Sequence, residues 1–125
     1  MSVILVVDDN STIRRVLGYM LQAIGHTVVT AFNGSDALER LHEQHCDMVI
    51  ADLAMPVMDG MTLLQQVRVS PQFGSLPFIM LTASGQDDAR IAARSAGVND
   101  FLTKPTSKRV LAETIDRWLP CASTI

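Results

Sequence analysis

The sequence predicts an α/β protein, a doubly wound parallel sheet of five strands with helices on both faces. Three observations carry this reading. Short strand-like runs recur five times, and the first of them, Val3-Ile4-Leu5-Val6-Val7, is the continuous β-branched and apolar pattern of a parallel strand buried on both faces. Between these runs lie segments whose apolar residues fall three and four apart, the spacing of one helical face. The connections are too short for anything but a crossover helix, so consecutive strands run parallel through right-handed βαβ units.

The elements follow in order. The opening run stops at the acidic pair Asp8-Asp9, and Ser11 is the expected N-cap of a helix striped by Ile13, Val16, Leu17, Met20, Leu21 and Ile24 and closed by Gly25. Thr27-Val28-Val29-Thr30-Ala31 reads as the second strand, Asn33-Gly34 as a turn, and Ala37, Leu38 and Leu41 as the inner face of a helix reaching about Gln44. The third strand, from about Met48 to Asp52, ends abruptly at a carboxylate and passes into the loop Ala54-Met55-Pro56-Val57-Met58-Asp59-Gly60. Met61, Leu64 and Val67 stripe the third helix, which gives out before Ser70-Pro71. Phe78-Ile79-Met80-Leu81 is the fourth strand and runs out at Thr82-Ala83-Ser84. Ala89, Ala92, Ala93 and Ala96 give the fourth helix a small-residue face ending at Gly97, and Val98 to Leu102 forms a short fifth strand leading into Thr103-Lys104-Pro105. The last helix buries Val110, Leu111, Ile115, Trp118 and Leu119, and Pro120 stops it.

Composition bounds the function. With 125 residues, 48% of them hydrophobic, the chain reads as one domain over residues 1–125 that buries a core without disulfides. A formal net charge of -3 offers no basic field to nucleic acid. No window approaches the roughly 20 apolar residues of a membrane span. No charged and apolar leader opens the chain, and Cys46 and Cys121 read as ordinary thiols of a reducing compartment, so the cytoplasm is the expected location. There is no repeat or linker, and no output domain is expected within this sequence.

For five strands of this kind the common order is 2-1-3-4-5, which sets the tips of the first and third strands side by side at the topological switch point, where ligands bind in open α/β sheets. Asp8, Asp9 and Asp52 then face one another, and Thr82 and Lys104 approach from the neighbouring strand ends. Three crowded carboxylates repel unless a hard cation neutralises them, and an all-oxygen site with few protein ligands suits Mg²⁺ better than zinc. A cation, the Lys104 ammonium and the Thr82 hydroxyl beside a carboxylate are what stabilises the oxygens of a transferring phosphoryl group, with Asp52 as the nucleophile that forms an acyl phosphate.

The succession Asp8-Asp9, Asp52 with Met55-Pro56-Val57-Met58-Asp59-Gly60 behind it, Thr82-Ala83 and Lys104-Pro105 resembles the receiver domain of bacterial two-component response regulators, over about residues 3 to 119. It looks like a stand-alone, CheY-like receiver. The resemblance implies a flavodoxin-like (βα)5 fold in which Asp52 accepts a phosphoryl group from a phosphohistidine on a sensor histidine kinase or phosphotransfer protein. It implies Mg²⁺ held by Asp9, Asp52 and the Ala54 backbone carbonyl, with Asp8 ligating directly or through water, and Lys104 contacting the phosphoryl group. The Lys104-Pro105 bond is a candidate cis peptide. Thr82 and Phe101 occupy the switch positions of such domains, where the phosphoryl oxygen draws the hydroxyl inward and the ring turns into the vacated space, remodelling the face of the fourth helix, fifth strand and fifth helix for a downstream protein. The implied protein is a phosphoacceptor switch rather than an enzyme, catalysing only its own phosphoryl transfer and acyl-phosphate hydrolysis. It is a monomer or a phosphorylation-dependent dimer that contacts neither nucleic acid nor membrane directly. Two positions depart from the more polar versions: Ala54 stands two residues after Asp52 and Ser84 two after Thr82, leaving the path of an attacking water open and unassisted.

Plainer readings stand beside these. Asp8-Asp9 alone would complement a helix dipole, Asp52 alone would be a turn residue, and Phe101 alone a core ring. Together with Lys104, so much like charge at one buried place requires a functional reason. His42, His45 and Cys46 suggest a second metal site, but a solvated helix end followed by a buried thiol explains them more simply. The seven methionines read as core filler. Asp87, Asp88, Arg90, Arg94, Lys108 and Arg109 read as solvated faces of the last two helices. Three other functions compete. A haloacid-dehalogenase-like phosphatase wants a second acid where Ala54 stands, a flavodoxin-like FMN protein wants a hydroxyl- and glycine-rich loop where Asp8-Asp9 stand, and a degenerate receiver would serve only as an interaction module.

Overall fold

The computed structural model describes residues 2–55, 58–83 and 87–119, with only the backbone of Asp87. Five strands alternate with five helices: β1 (Val3–Val7), α1 (Ser11–Ala23), β2 (Thr27–Ala31), α2 (Gly34–Glu43), β3 (Met48–Asp52), α3 (Gly60–Val69), β4 (Phe78–Thr82), α4 (Asp87–Ser95), β5 (Asp100–Thr103) and α5 (Lys108–Trp118). All pairs are parallel and the sheet order is β2-β1-β3-β4-β5, as the alternation predicts. Pro56, Val57, Ser84 and the stretch from Pro120 through Cys121 to the end, each assigned a role from sequence, lie outside the described residues.

Because successive strand residues point to opposite faces, β1, β3 and β4 feed two separate cores. Leu5, Val7, Val49, Ala51, Phe78 and Met80 pack under Ala37, Leu41, Leu63, Leu64, Val67 and Ala93 of α2, α3 and α4. Ile4, Val6, Met48, Ile50, Ile79 and Leu81 pack against Leu17 and Leu21 of α1 and Leu111 and Ile115 of α5. Among the described residues no helix is long and apolar enough to cross a membrane.

Several boundaries differ from expectation. Asn10, not Ser11, caps α1, its side chain accepting from the Thr12 and Ile13 amides, and Ser11 is the first helical residue. Asn33 likewise caps α2 by accepting from Asp36 N, so Asn33-Gly34 is a helix start rather than a separate turn. The predicted stripes are wider than the buried faces, since Val16 and Val110 are exposed. Gly25 and Gly97 do end their helices, each at a φ of 98° that glycine tolerates best.

The start of β5 moves from Val98 to Asp100 for a specific reason. The Val98 amide bonds back to Ala93 O, closing α4, and strand pairing begins only when Asn99 N donates to Phe78 O at 2.9 Å. Asn99 Oδ1 accepts from Phe78 N at 2.8 Å and from Arg68 Nη2 at 2.8 Å. Arg68, in the last turn of α3, also reaches Gly97 O at 2.9 Å through Nε and Leu76 O at 2.7 Å through Nη1. One guanidinium thus ties α3 to the loop that follows it and to the loop between α4 and β5. At the other edge Asp100 accepts from Phe101 N at 2.8 Å and Trp118 Nε1 at 3.0 Å and pairs with Arg117, fixing β5 to α5.

Arg68→Ala should lower the unfolding free energy by about 2–3 kcal/mol in a urea titration, because it strands several carbonyls that one charged donor satisfies. A second expectation concerns pH. Burial pushes the Asp100 carboxyl up, but the bonds from Trp118, Phe101 and Arg117 outweigh it and hold the group below the usual carboxylate range. A depressed native value contributes stability that is full above the unfolded pKa and is lost as pH falls through the native one. Asp100→Asn should therefore be less stable than the wild type at pH 7, and the gap should close as melts are repeated toward strongly acidic pH.

Candidate functional site

The candidate site lies at the carboxyl ends of β1 and β3, where the strand order reverses. Asp8 follows β1 directly, its amide donating to Ala31 O at 3.2 Å and its Oδ1 accepting from Asn10 N at 2.9 Å. Asp52 is the last residue of β3. One carboxylate oxygen from each of Asp8, Asp9 and Asp52 lies within 4.8 Å of the others. Asp8 and Asp52 are buried and Asp9 is exposed, so the cluster opens to solvent through Asp9.

Lys104 enters from the end of β5. Its Nζ is 3.0 Å from Asp52 Oδ1 and 3.3 Å from Asp8 Oδ2, and its amide donates to Thr82 O at 2.8 Å. The Lys104-Pro105 bond is cis. Burial works against the ammonium, yet the bond to Asp52 and the charges of Asp52 and Asp8 carry the Lys104 pKa above its ordinary value. Asp8 moves the other way from a well-paired acid. Burial, with the Asp52 charge added, raises its carboxyl above the ordinary range despite the Asn10 amide and Lys104. Its Oδ2 is buried, and the contact it makes, to the Lys104 ammonium at 3.3 Å, is not a well-aligned hydrogen bond. One ammonium does not neutralise this much negative charge.

The loop behind Asp52 buttresses it. Ala54 N reaches Asp52 Oδ1 at 3.4 Å, Gly60 N donates to Leu53 O at 2.9 Å, and Asp59 caps α3 by accepting from Thr62 N at 2.8 Å. A Cβ on Gly60 would press on the Asp52 carbonyl oxygen and come within 2.7 Å of Met80 Sδ and 2.9 Å of Leu53 Cα. Glycine is required here by close approach.

Thr82 is buried at the end of β4, as expected, but its hydroxyl bonds neither Asp52 nor Lys104. It accepts from Arg90 Nη2 at 3.0 Å, and the same nitrogen reaches Thr103 Oγ1 at 2.8 Å. The half-buried Phe101 ring carries Arg90 Cζ at 5.4 Å and Arg94 Cζ at 5.3 Å from its centroid. Arg90 is therefore half-buried against the strand ends, which corrects its reading as part of a solvated face. Charge patterning carries no signal for this, since a long side chain that folds back over a sheet looks in sequence like one that does not.

The second metal site suggested by His42, His45 and Cys46 is not assembled. His42 meets Phe73 edge-on with centroids 5.1 Å apart, His45 pairs with Asp47 at 2.7 Å, and the buried Cys46 thiol turns to Gln44 O. Among the described residues the potential metal ligands that gather are Asp8, Asp9 and Asp52.

Comparison with known proteins agrees with this geometry. The response regulator receiver domain family matches residues 4–116. The chain is 40% identical over 115 residues to the chemotaxis protein CheY of Pseudomonas aeruginosa, covering 91% of this chain and 93% of that protein. It is 41% identical over 114 residues to the transcriptional regulatory protein GlrR of Escherichia coli, covering 90% of this chain but 25% of that protein. Among solved structures, a chemotaxis response regulator of Vibrio cholerae superposes with a TM-score of 0.89 at 33% identity, over 95% of this chain and 99% of that one. The receiver domain of a Pseudomonas aeruginosa sensor histidine kinase, solved with a magnesium ion in its active-site cleft, superposes with a TM-score of 0.88 at 30% identity, over 96% and 98% of the two chains.

Gly60→Ala should cost about 1–3 kcal/mol in chemical denaturation, because the backbone around Asp52 must shift to admit the methyl group. An unchanged midpoint would mean that the loop behind β3 is free to yield.

Proposed function

The chain belongs to the response regulator receiver domain family, and from that premise we propose that it is a phosphoryl-accepting switch of a two-component system, with Asp52 as the acceptor. The observation that carries this reading is the Lys104 ammonium, 3.0 Å from a strand-end carboxylate that shares its pocket with Asp8 and Asp9. In the proposed reaction an Asp52 oxygen attacks the phosphorus of a phosphohistidine on a sensor kinase or phosphotransfer protein. The new O–P bond forms as the N–P bond breaks, and the imidazole leaves with the bonding pair. Lys104 then exchanges its contact with Asp52 for the incoming phosphoryl oxygens, which places its charge where negative charge accumulates.

The acidic cluster fits a divalent cation, since Asp8 Oδ2 is a buried oxygen whose ammonium partner at 3.3 Å makes no well-aligned hydrogen bond and is shared with Asp52, and a third carboxylate lies beside them. We assign Mg²⁺ to Asp9, Asp52 and the Ala54 carbonyl, with Asp8 binding directly or through water. Bound there, it would supply neutralising charge to the phosphoryl oxygens. Thr82 and Phe101 relay the change to the face of α4, β5 and α5, where a downstream protein partner docks. In this reading the protein works in the cytoplasm, contacts no nucleic acid itself, and catalyses only its own phosphorylation and acyl-phosphate hydrolysis.

Intact-mass spectrometry after incubation with a small acyl-phosphate donor tests the assignment, with and without Mg²⁺. The wild type should gain one phosphoryl group only with Mg²⁺, and Asp52→Asn should gain none. A folded wild type that takes up no phosphoryl group would reduce the domain to a protein-interaction module, and an adduct that persists in Asp52→Asn would move the acceptor elsewhere.

A further inference from the structure

We propose that Arg90 is a positioning residue that latches Thr82 and Phe101 in a resting arrangement, so that occupation of the site at Asp52 must first draw Thr82 away from it. The inference rests on the receiver reading above and names a residue through which that reading would operate in this chain.

The geometry is that of a three-point clasp. A single nitrogen, Nη2, holds Thr82 Oγ1 at 3.0 Å and Thr103 Oγ1 at 2.8 Å, joining the ends of β4 and β5 from the side of α4. The same guanidinium lies over the Phe101 ring at 5.4 Å. Thr82 is β-branched, so its hydroxyl occupies one of a few discrete rotamers and does not slide between partners. A rotamer that offers the hydroxyl to a phosphoryl group on Asp52 gives up the guanidinium. Once released from Thr82, Arg90 holds the Phe101 ring less firmly, and both groups are freed by one event.

The clasp is also poised rather than fully satisfied. Arg90 Nε is buried without a hydrogen-bond partner, a cost that the resting arrangement carries and that movement of the side chain toward solvent relieves. A ligand can shift such a balance only through its differential contacts with the two arrangements, and its apparent affinity falls by the fraction of protein that is already competent to bind it. Removing the latch should raise that fraction.

The test is a double-mutant cycle read by binding of beryllofluoride, a stable mimic of the phosphoryl group, at saturating Mg²⁺ and followed by backbone-amide NMR. Arg90→Met keeps the alkyl stem and a good helix former while deleting the guanidinium. It should bind beryllofluoride about tenfold more tightly than the wild type, and in a Thr82→Ala background the same change should alter binding less than about twofold. If Arg90→Met does not give a native spectrum, Arg90→Lys, which keeps the charge without the planar fork, carries the same comparison. Unchanged or weaker binding in the Arg90 variant overturns the latch, as does an equal gain in the Thr82→Ala background. A wild type that binds no beryllofluoride with Mg²⁺ overturns the receiver reading and the latch with it, an outcome visible in the wild-type arm alone.

Discussion

The Lys104 ammonium set between Asp52 and Asp8 is the interaction on which the carboxyl end of the sheet depends. Two buried carboxylates share one cation, and Asp9 adds a third negative group at the rim. Charges within a few ångströms at an effective dielectric near 20 interact by about 4 kcal/mol, so one attraction cannot offset the repulsion and desolvation of the others. The raised Asp8 carboxyl is the signature of that deficit. A fold that keeps such a cluster must hold it by other means, and β1, β3 and β4 do so with continuous apolar side chains that are almost wholly shielded from water.

The means are visible in the backbone. At the carboxyl ends of the strands, three hydrogen bonds beyond the regular sheet continue the pairing by one residue: Asp8 N to Ala31 O, Leu53 N to Leu81 O, and Lys104 N to Thr82 O. Each lies at or next to a residue of the site. The carboxylates and the ammonium are therefore placed by sheet register, and loop conformation only refines them. Register in turn is set by burial on both faces, since a slip of one residue would exchange the two cores. Charge clustering at the tips and apolar packing below are one structural problem, solved by the same strands.

This explains what could be read from the chain and what could not. Strands buried on both faces leave an unbroken apolar run with a polar residue where burial ends, so Asp8, Asp52 and Thr82 were legible at the tips of β1, β3 and β4; β5 is a half-buried Asp100-Phe101-Leu102-Thr103, and Lys104 was legible from its place before Pro105 in the family resemblance. Competition between good local alternatives was not. Asn10 and Ser11 are both capable caps, and only the turn geometry chooses between them. Val98 is apolar enough for a strand, but the closing turn of α4 claims its amide. Val16 and Val110 fit the apolar spacing of their helices yet stay exposed, because the buried face is narrower than the apolar stripe. Arg68 and Arg90 were invisible because their roles depend on which carbonyls and hydroxyls converge across sequence-distant loops.

The helices also differ in how they are fastened, and the difference bears on which of them is free to respond. α1 and α5 insert Leu17, Leu21, Leu111 and Ile115 into the sheet, and displacing either would uncover large apolar side chains. α4 buries Ala93 among its described side chains with Ala89 and Ala96 partly buried beside it, and its other attachments run through arginines: Arg90 on two threonine hydroxyls and the Phe101 ring, and Arg68 on the carbonyl of Gly97 just beyond it. A small-residue face leaves little apolar area to lose, and hydrogen bonds at a strand end can be exchanged for bonds to water or to another ligand at modest net cost. Low apolar burial and exchangeable polar contacts are what mark a segment of low local stability. The sheet tips that hold the charges are thus backed by large apolar side chains, whereas α4 meets Thr82 and Thr103 through a small-residue face and exchangeable hydrogen bonds.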